Sequence, residues 1–234
     1  MEFLLDNSET EKIFRQITGS IPSMQNGITA SSMEERGIHY EKNWGVSLVD
    51  LKNFSNSIEK NHLLALKLWN KHWRETMILA TLLDEPKEVS EEQMDFWVKT
   101  AENTEIVEQM VNNLFTQTPY AFSKALEWCR GKKFHVKYAG LLMMGRLALT
   151  SENDIDEMFE LFFEVIQPLT KDRNLHTIFY RTYCQLARRS PQLHKECVAF
   201  AETLLTLDEE QSKNIGEELL NEINSEDFIP FIKK

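Results

Sequence analysis

Helix-breaking residues are scarce: the 234-residue chain holds only 8 glycines and 6 prolines. That scarcity excludes a turn-rich β-sandwich and a glycine-rich phosphate cradle. Cysteine is as sparse. Cys129, Cys184 and Cys197 are an odd number at spacings that match no disulfide framework, metal site or redox pair, so reduced core thiols of a cytosolic protein are expected. Long apolar runs are missing too. The nearest approach to the roughly 18 apolar residues that span a bilayer is the stretch 139–149, and Arg146 interrupts it. The opening Met1-Glu2-Phe3-Leu4-Leu5-Asp6 lacks the basic region of a secretory leader. The expectation is a soluble, cytoplasmic, monomeric protein with no membrane partner. Six scattered histidines (His39, His62, His72, His135, His176, His194) form no metal-ligating spacing, and no Walker loop, nucleophile elbow or Rossmann fingerprint occurs, so neither metal nor cofactor is expected.

What the chain does have is apolar mass and helix punctuation. Hydrophobic residues make up 42 %, with 14 Phe, 5 Trp and 5 Tyr, which excludes disorder. Helix starts are signalled at Ser8-Glu9-Thr10-Glu11 (a capping box, with Gly19 as its stop), Ser47, Ser90, Thr118-Pro119, Ser151-Glu152-Asn153-Asp154 and Asp208-Glu209-Glu210-Gln211. Between them apolar residues recur at helical spacing, as in Leu48, Leu51, Phe54 and Ile58, or Val198, Ala201, Leu204 and Leu205. About a dozen helices result. They pair into units near 47–83, 90–130, 133–167 and 172–206, a size that suits a HEAT- or armadillo-type helical solenoid. The spacing predicts an all-α, helical-repeat fold in one domain: N-terminal helices over 1–42, helix-pair repeats over 43–206 and capping helices over 207–234. A non-repeating helical bundle is the competing architecture.

Charge is segregated along the chain. The net charge of −11 by itself argues against nucleic acid, whose phosphates are held by Lys and Arg. Yet residues 120–150 carry +5 (Lys124, Arg130, Lys132, Lys133, Lys137 and Arg146 against Glu127), and residues 171–195 carry +5 again (Lys171, Arg173, Arg181, Arg188, Arg189 and Lys195 against Asp172). The rest of the chain carries −21. An acidic protein can present a basic groove in this way, although each run can equally be an ordinary solvated helix face.

The segment Asn43-Trp44-Gly45-Val46-Ser47-Leu48-Val49-Asp50-Leu51, then 64–69 and 75–80, resembles the AlkD-like DNA alkylation repair family. The likeness continues through 84–98 and returns weakly at Asp172-Arg173-Asn174 and 185–191. The resemblance implies HEAT-like repeats and a DNA glycosylase that excises N3- and N7-alkylated purines while gripping the DNA backbone. The catalytic pattern of that family is substituted. Where it has a Trp stands Thr104, where it has the catalytic Asp stands Glu108, and where it expects an Arg stands Tyr138. Its later Trp and Arg fall near Arg181-Thr182-Tyr183-Cys184. The candidate catalytic groups are therefore Glu108 and Glu105, one helical turn apart, with Trp128, Tyr138 or Tyr183 as aromatic support for a cationic base. Lys132, Lys133, Lys137, Arg146, Arg173, Arg181, Arg188 and Arg189 are the candidate DNA ligands. Without the excision chemistry, the same chain reads as a non-catalytic scaffold for branched or damaged DNA, or for a protein partner.

Overall fold

The computed structural model describes residues 7–151 and 155–233. Among these the chain is all-α: fourteen α-helices, short 3₁₀ turns and no strand. The chain divides into two compact units, residues 1–119 and 120–234.

The first unit holds α1 (Ser8–Ser20), α2 (Gly27–Glu35), α3 (Leu48–Ser55), α4 (His62–Trp69), α5 (Arg74–Leu83), α6 (Glu91–Thr100) and α7 (Thr104–Asn113). Side chains three residues upstream of the first free N–H groups start most of these helices: Asn26, Ser47, Asn61, Ser90 and Asn103 each accept a bond from the backbone N–H at that spacing. Helix α5 lies against α3, α4 and α7, and α1 against α4. Leu64, Leu68, Ile78, Leu79, Val107 and Met110 fill the space between them. Trp69 and Trp97 stack face to face at 4.0 Å and 3°, with Phe115 tilted against Trp97 at 6.1 Å.

The second unit holds α8 (Ala121–Cys129), α9 (Phe134–Thr150), α10 (Asp156–Glu160), α11 (Phe163–Ile166), α12 (His176–Ala187), α13 (Pro191–Leu205) and α14 (Glu210–Ile223). Helix α9 packs on α8 and α12, and α14 on α12 and α13. Gly140 allows the close approach of α8, because a Cβ there would lie 2.7 Å from the Cys129 nitrogen. Phe122, Phe159 and Phe162 form one aromatic cluster, and Phe163, Tyr183 and Phe200 another. The three cysteines are buried and free. No helix among the described residues is long and apolar enough to cross a membrane.

Several helix starts and stops differ from the sequence expectation. The cap of α1 is Asn7 rather than Ser8, and Gly19 does not end that helix, which runs through Ser20 into a 3₁₀ turn. Thr118 caps nothing: its hydroxyl turns back to the Phe115 carbonyl, and α8 starts at Ala121 with no side-chain cap. Asp208 is not a cap either, since α14 follows Glu209 without a side-chain bond. The signal at 151–154 runs into residues outside those described.

Candidate functional site

The paired glutamates come first. Glu105 lies in the first turn of α7, and Arg74, the first residue of α5, grips its carboxylate with two parallel bonds: Nε at 2.9 Å to one oxygen, Nη2 at 2.7 Å to the other. The Tyr40 hydroxyl donates to the same carboxylate at 2.7 Å and lies 3.1 Å from Asn103 Oδ1, the cap of α7. Arg74 is only 3 % exposed, and its Nη1 donates onward to the Val46 carbonyl and to fully buried Glu75. Glu75 in turn accepts from the backbone N–H groups of Trp44 and Val46. Burial works against the charge on Arg74, but its bonds to Glu105, then the fields of Glu105 and Glu75, outweigh it and hold the guanidinium more firmly protonated. Burial, then the neighbouring Glu105 charge, pushes the Tyr40 hydroxyl far above the usual phenol range. Glu105 thus anchors a buried network that ties the segment 38–46 to α5 and α7. Glu108 sits one turn further along α7 and is half-buried. Beside the network, Tyr40, Trp69, His72, Met77, Asn103 and Ile106 line a cavity of about 180 Å³.

Of the aromatic candidates, Trp128 is core, and so is Tyr183, whose hydroxyl donates to the Cys197 carbonyl. Burial raises the Tyr183 hydroxyl well above its ordinary range, so it stays a neutral donor. Tyr138 is half-buried, tilted against Phe134 at 5.8 Å.

The basic candidates fall into two sets. Lys132 and Lys133 are exposed just before α9, and Arg173 is exposed just before α12. The ion pair Lys137 Nζ–Asp172 Oδ2, at 2.5 Å, ties the start of α9, which Lys132 and Lys133 precede, to the turn that carries Arg173. The bond from Lys137, opposed by partial burial, holds the Asp172 carboxyl below the usual carboxylate range. Arg181 is exposed on α12.

The other set faces its own unit. Arg189 bonds Asp156 and the Ala148 carbonyl and lies 4.1 Å from the Phe159 ring. Arg188 is sandwiched near Phe228 (4.6 Å) and Phe231 (5.6 Å), and its carbonyl accepts from the Lys233 N–H. Arg146 is half-buried, with its Nε sealed from solvent and unbonded. Residue counts along 171–195 carry no sign of this division, because the partners of Arg188 and Arg189 lie some 30–40 residues away.

Residues 20–176 match the family model described as DNA alkylation repair enzyme. The chain belongs to that family. A solved structure described as "a new family of proteins related to the HEAT-like repeat DNA glycosylases with affinity for branched DNA structures" is similar at 20 % identity, with a TM-score of 0.68. The likeness covers 88 % of this chain and 93 % of that one. The fold is accordingly an all-α, HEAT-like helical repeat, as the spacing of apolar residues predicts. No curated protein matches this member of the DNA alkylation repair family. Thr104 is the half-buried first residue of α7, and Glu108 lies on the same helix.

Proposed function

We propose that this DNA alkylation repair family member binds DNA through backbone phosphates, with Lys132, Lys133 and Arg173 as the main contacts and branched structures as the preferred form. The observation that carries the reading is the placement of those three cations at one end of α9 and α12, exposed, with Phe134, His135 and Tyr138 beside them. Aromatic rings interleaved with lysines suit backbone contact combined with stacking on bases splayed at a junction. Family membership supports DNA as the partner, and the structural relative with affinity for branched DNA supports the preference.

Excision is not part of the proposal. A glycosylase needs a carboxylate and aromatic faces arranged around the sugar and the cationic base. Here Glu105 is bound on both oxygens by Arg74, while Trp128 and Tyr183 are packed in the core. The half-buried Glu108 keeps a second reading open to test.

The test compares binding of a labelled four-way junction and a linear duplex by fluorescence anisotropy. With three phosphates neutralised, log K is expected to fall with log[salt] at a slope of about −2.7. Lys132→Glu combined with Lys133→Glu is expected to remove binding; a double variant that binds as wild type does refutes the assignment of these cations. Single-turnover incubation with alkylated duplex is expected to release no methylated purine above the spontaneous rate. Release that collapses in Glu108→Gln would move the protein to the excision reading.

A further inference from the structure

The first unit carries net −8, with 19 acidic and 11 basic residues over 1–119. One surface of it nonetheless gathers two lysines on two indoles. Trp44 and Trp73 meet edge to face, centroids 5.7 Å apart at 67°, forming an aromatic corner. The Lys42 ammonium sits in that corner, 4.2 Å from the Trp44 ring and 4.7 Å from the Trp73 ring. Lys71 approaches Trp73 as well, at 4.8 Å. Both indoles are half-buried and both lysines exposed, unlike Trp69, Trp97 and Trp128, which are 1 % exposed.

The corner is rigidly built. The Arg74 N–H donates to the Lys42 carbonyl, Lys42 and Trp73 form an isolated parallel bridge, and the Trp44 N–H donates to buried Glu75. Gly45 makes the turn that follows Trp44 in the left-handed region (φ 70°), where a Cβ would lie 2.1 Å from the Asn26 carbonyl oxygen. His72, also left-handed (φ 56°), turns the chain from α4 so that Lys71 and Trp73 emerge together. The Trp44 indole N–H is sealed off and unbonded.

We propose that Trp44 and Trp73, with Lys42 and Lys71, form a stacking site for an unpaired nucleotide of DNA. The nature of this ligand rests on the DNA-binding reading above. A flat ring fits an edge-to-face corner by lying on one indole and meeting the other at its rim. A base within a duplex has both faces covered by its neighbours, so the matching partner is a nucleotide out of the stack, as at the branch of a junction. The ammonium groups that cap the rings in the free protein then swing to the flanking phosphates, so one movement uncovers the ring and neutralises the backbone.

Tryptophan fluorescence reads this site directly, because the other three indoles are buried. The probe is the thymidylate tetranucleotide dT4, titrated against the full-length chain, with tripolyphosphate as the anion that has no base. Saturable quenching by dT4 and not by tripolyphosphate is the expected result. Lys42→Gln with Lys71→Gln is expected to weaken dT4 binding and flatten its salt dependence while both indoles remain. Trp73→Leu is expected to weaken it by roughly tenfold or more, the usual effect of losing one base–aromatic stack. No saturable quenching, or equal quenching by tripolyphosphate, overturns the site. So does unchanged affinity in the lysine double variant, whose substitutions are exposed and leave the backbone anchors intact. The Lys132→Glu, Lys133→Glu variant separates this site from the one proposed above: it is expected to lose junction binding and to keep the dT4 signal.

Discussion

Each unit of the molecule straps a segment without α-helix over its helices, and the two straps are fastened by different physics. In the first unit, residues 38–46 are pinned by charge taken out of water: Arg74 between Glu105 and Glu75, with Tyr40 closing the far side. In the second, the C-terminal segment is held by apolar burial and ring contact: buried Phe228 and exposed Phe231 lie near the Arg188 guanidinium, and the Lys233 N–H donates to the Arg188 carbonyl. A buried ion network is a poor source of net stability but is heavily penalised when one partner is removed, whereas a guanidinium lying on aromatic rings loses only that contact. The first strap is therefore brittle and the second forgiving. The contrast also accounts for the fate of the candidate residues. Glu105 and Arg188 are drawn into the two fastenings, whereas Lys132, Lys133 and Arg173 are exposed.

The sharpest way to break this contrast is Arg74→Ala, which strands Glu75 and Glu105 without their counter-ion. A loss of about 3–5 kcal/mol is expected in chemical denaturation. It should be nearly the same at low and high salt, since buried pairs are weakly screened. A smaller test on the same strap is Tyr40→Phe. It removes one hydrogen bond to a carboxylate that keeps both bonds from Arg74, and about 1–2 kcal/mol is expected. On the second strap, Arg188→Ala removes the guanidinium from two rings, and melting should register about 1 kcal/mol. If that loss equals the one from Arg74→Ala, the distinction between the straps fails.

The smallest effect is one of pH. The Asp172 carboxyl is held low in the folded state, so its contribution is complete above the unfolded value near ~3.9 and is lost as pH falls through the lower folded value. Acid unfolding of wild type should steepen in that range. In Asp172→Asn that steepening should be absent, with little change near neutrality.

The helices were legible because their signals are local. The hydroxyls of Ser47 and Ser90 reach N–H groups three residues on, inside the window that sequence spacing covers. Thr118 misled for a matching reason: its hydroxyl had an equally near acceptor behind it, the Phe115 carbonyl. Asn61 and Asn103 passed unnoticed as caps because asparagine serves turns as readily as helix starts. The candidate site was less legible because its partnerships are distant. The spacing of Glu105 and Glu108 shows that they share α7, but Arg74 is 31 residues and Tyr40 is 65 residues from Glu105, and no local pattern announces either. Charge counting likewise located the basic segments without the direction of each side chain. Lys137, Arg188 and Arg189 turn to Asp172, Phe228 and Asp156, and Lys132 and Lys133 are exposed.

The grip of Arg74 on Glu105 also bears on how such a chain can change over generations. Replacing either residue alone passes through a state with an unmatched ion in the interior, so the two positions form a lock that opens only when both keys turn together. Lineages that carry this pair are expected to exchange Arg74 and Glu105 jointly, with Tyr40 free to drift only afterwards.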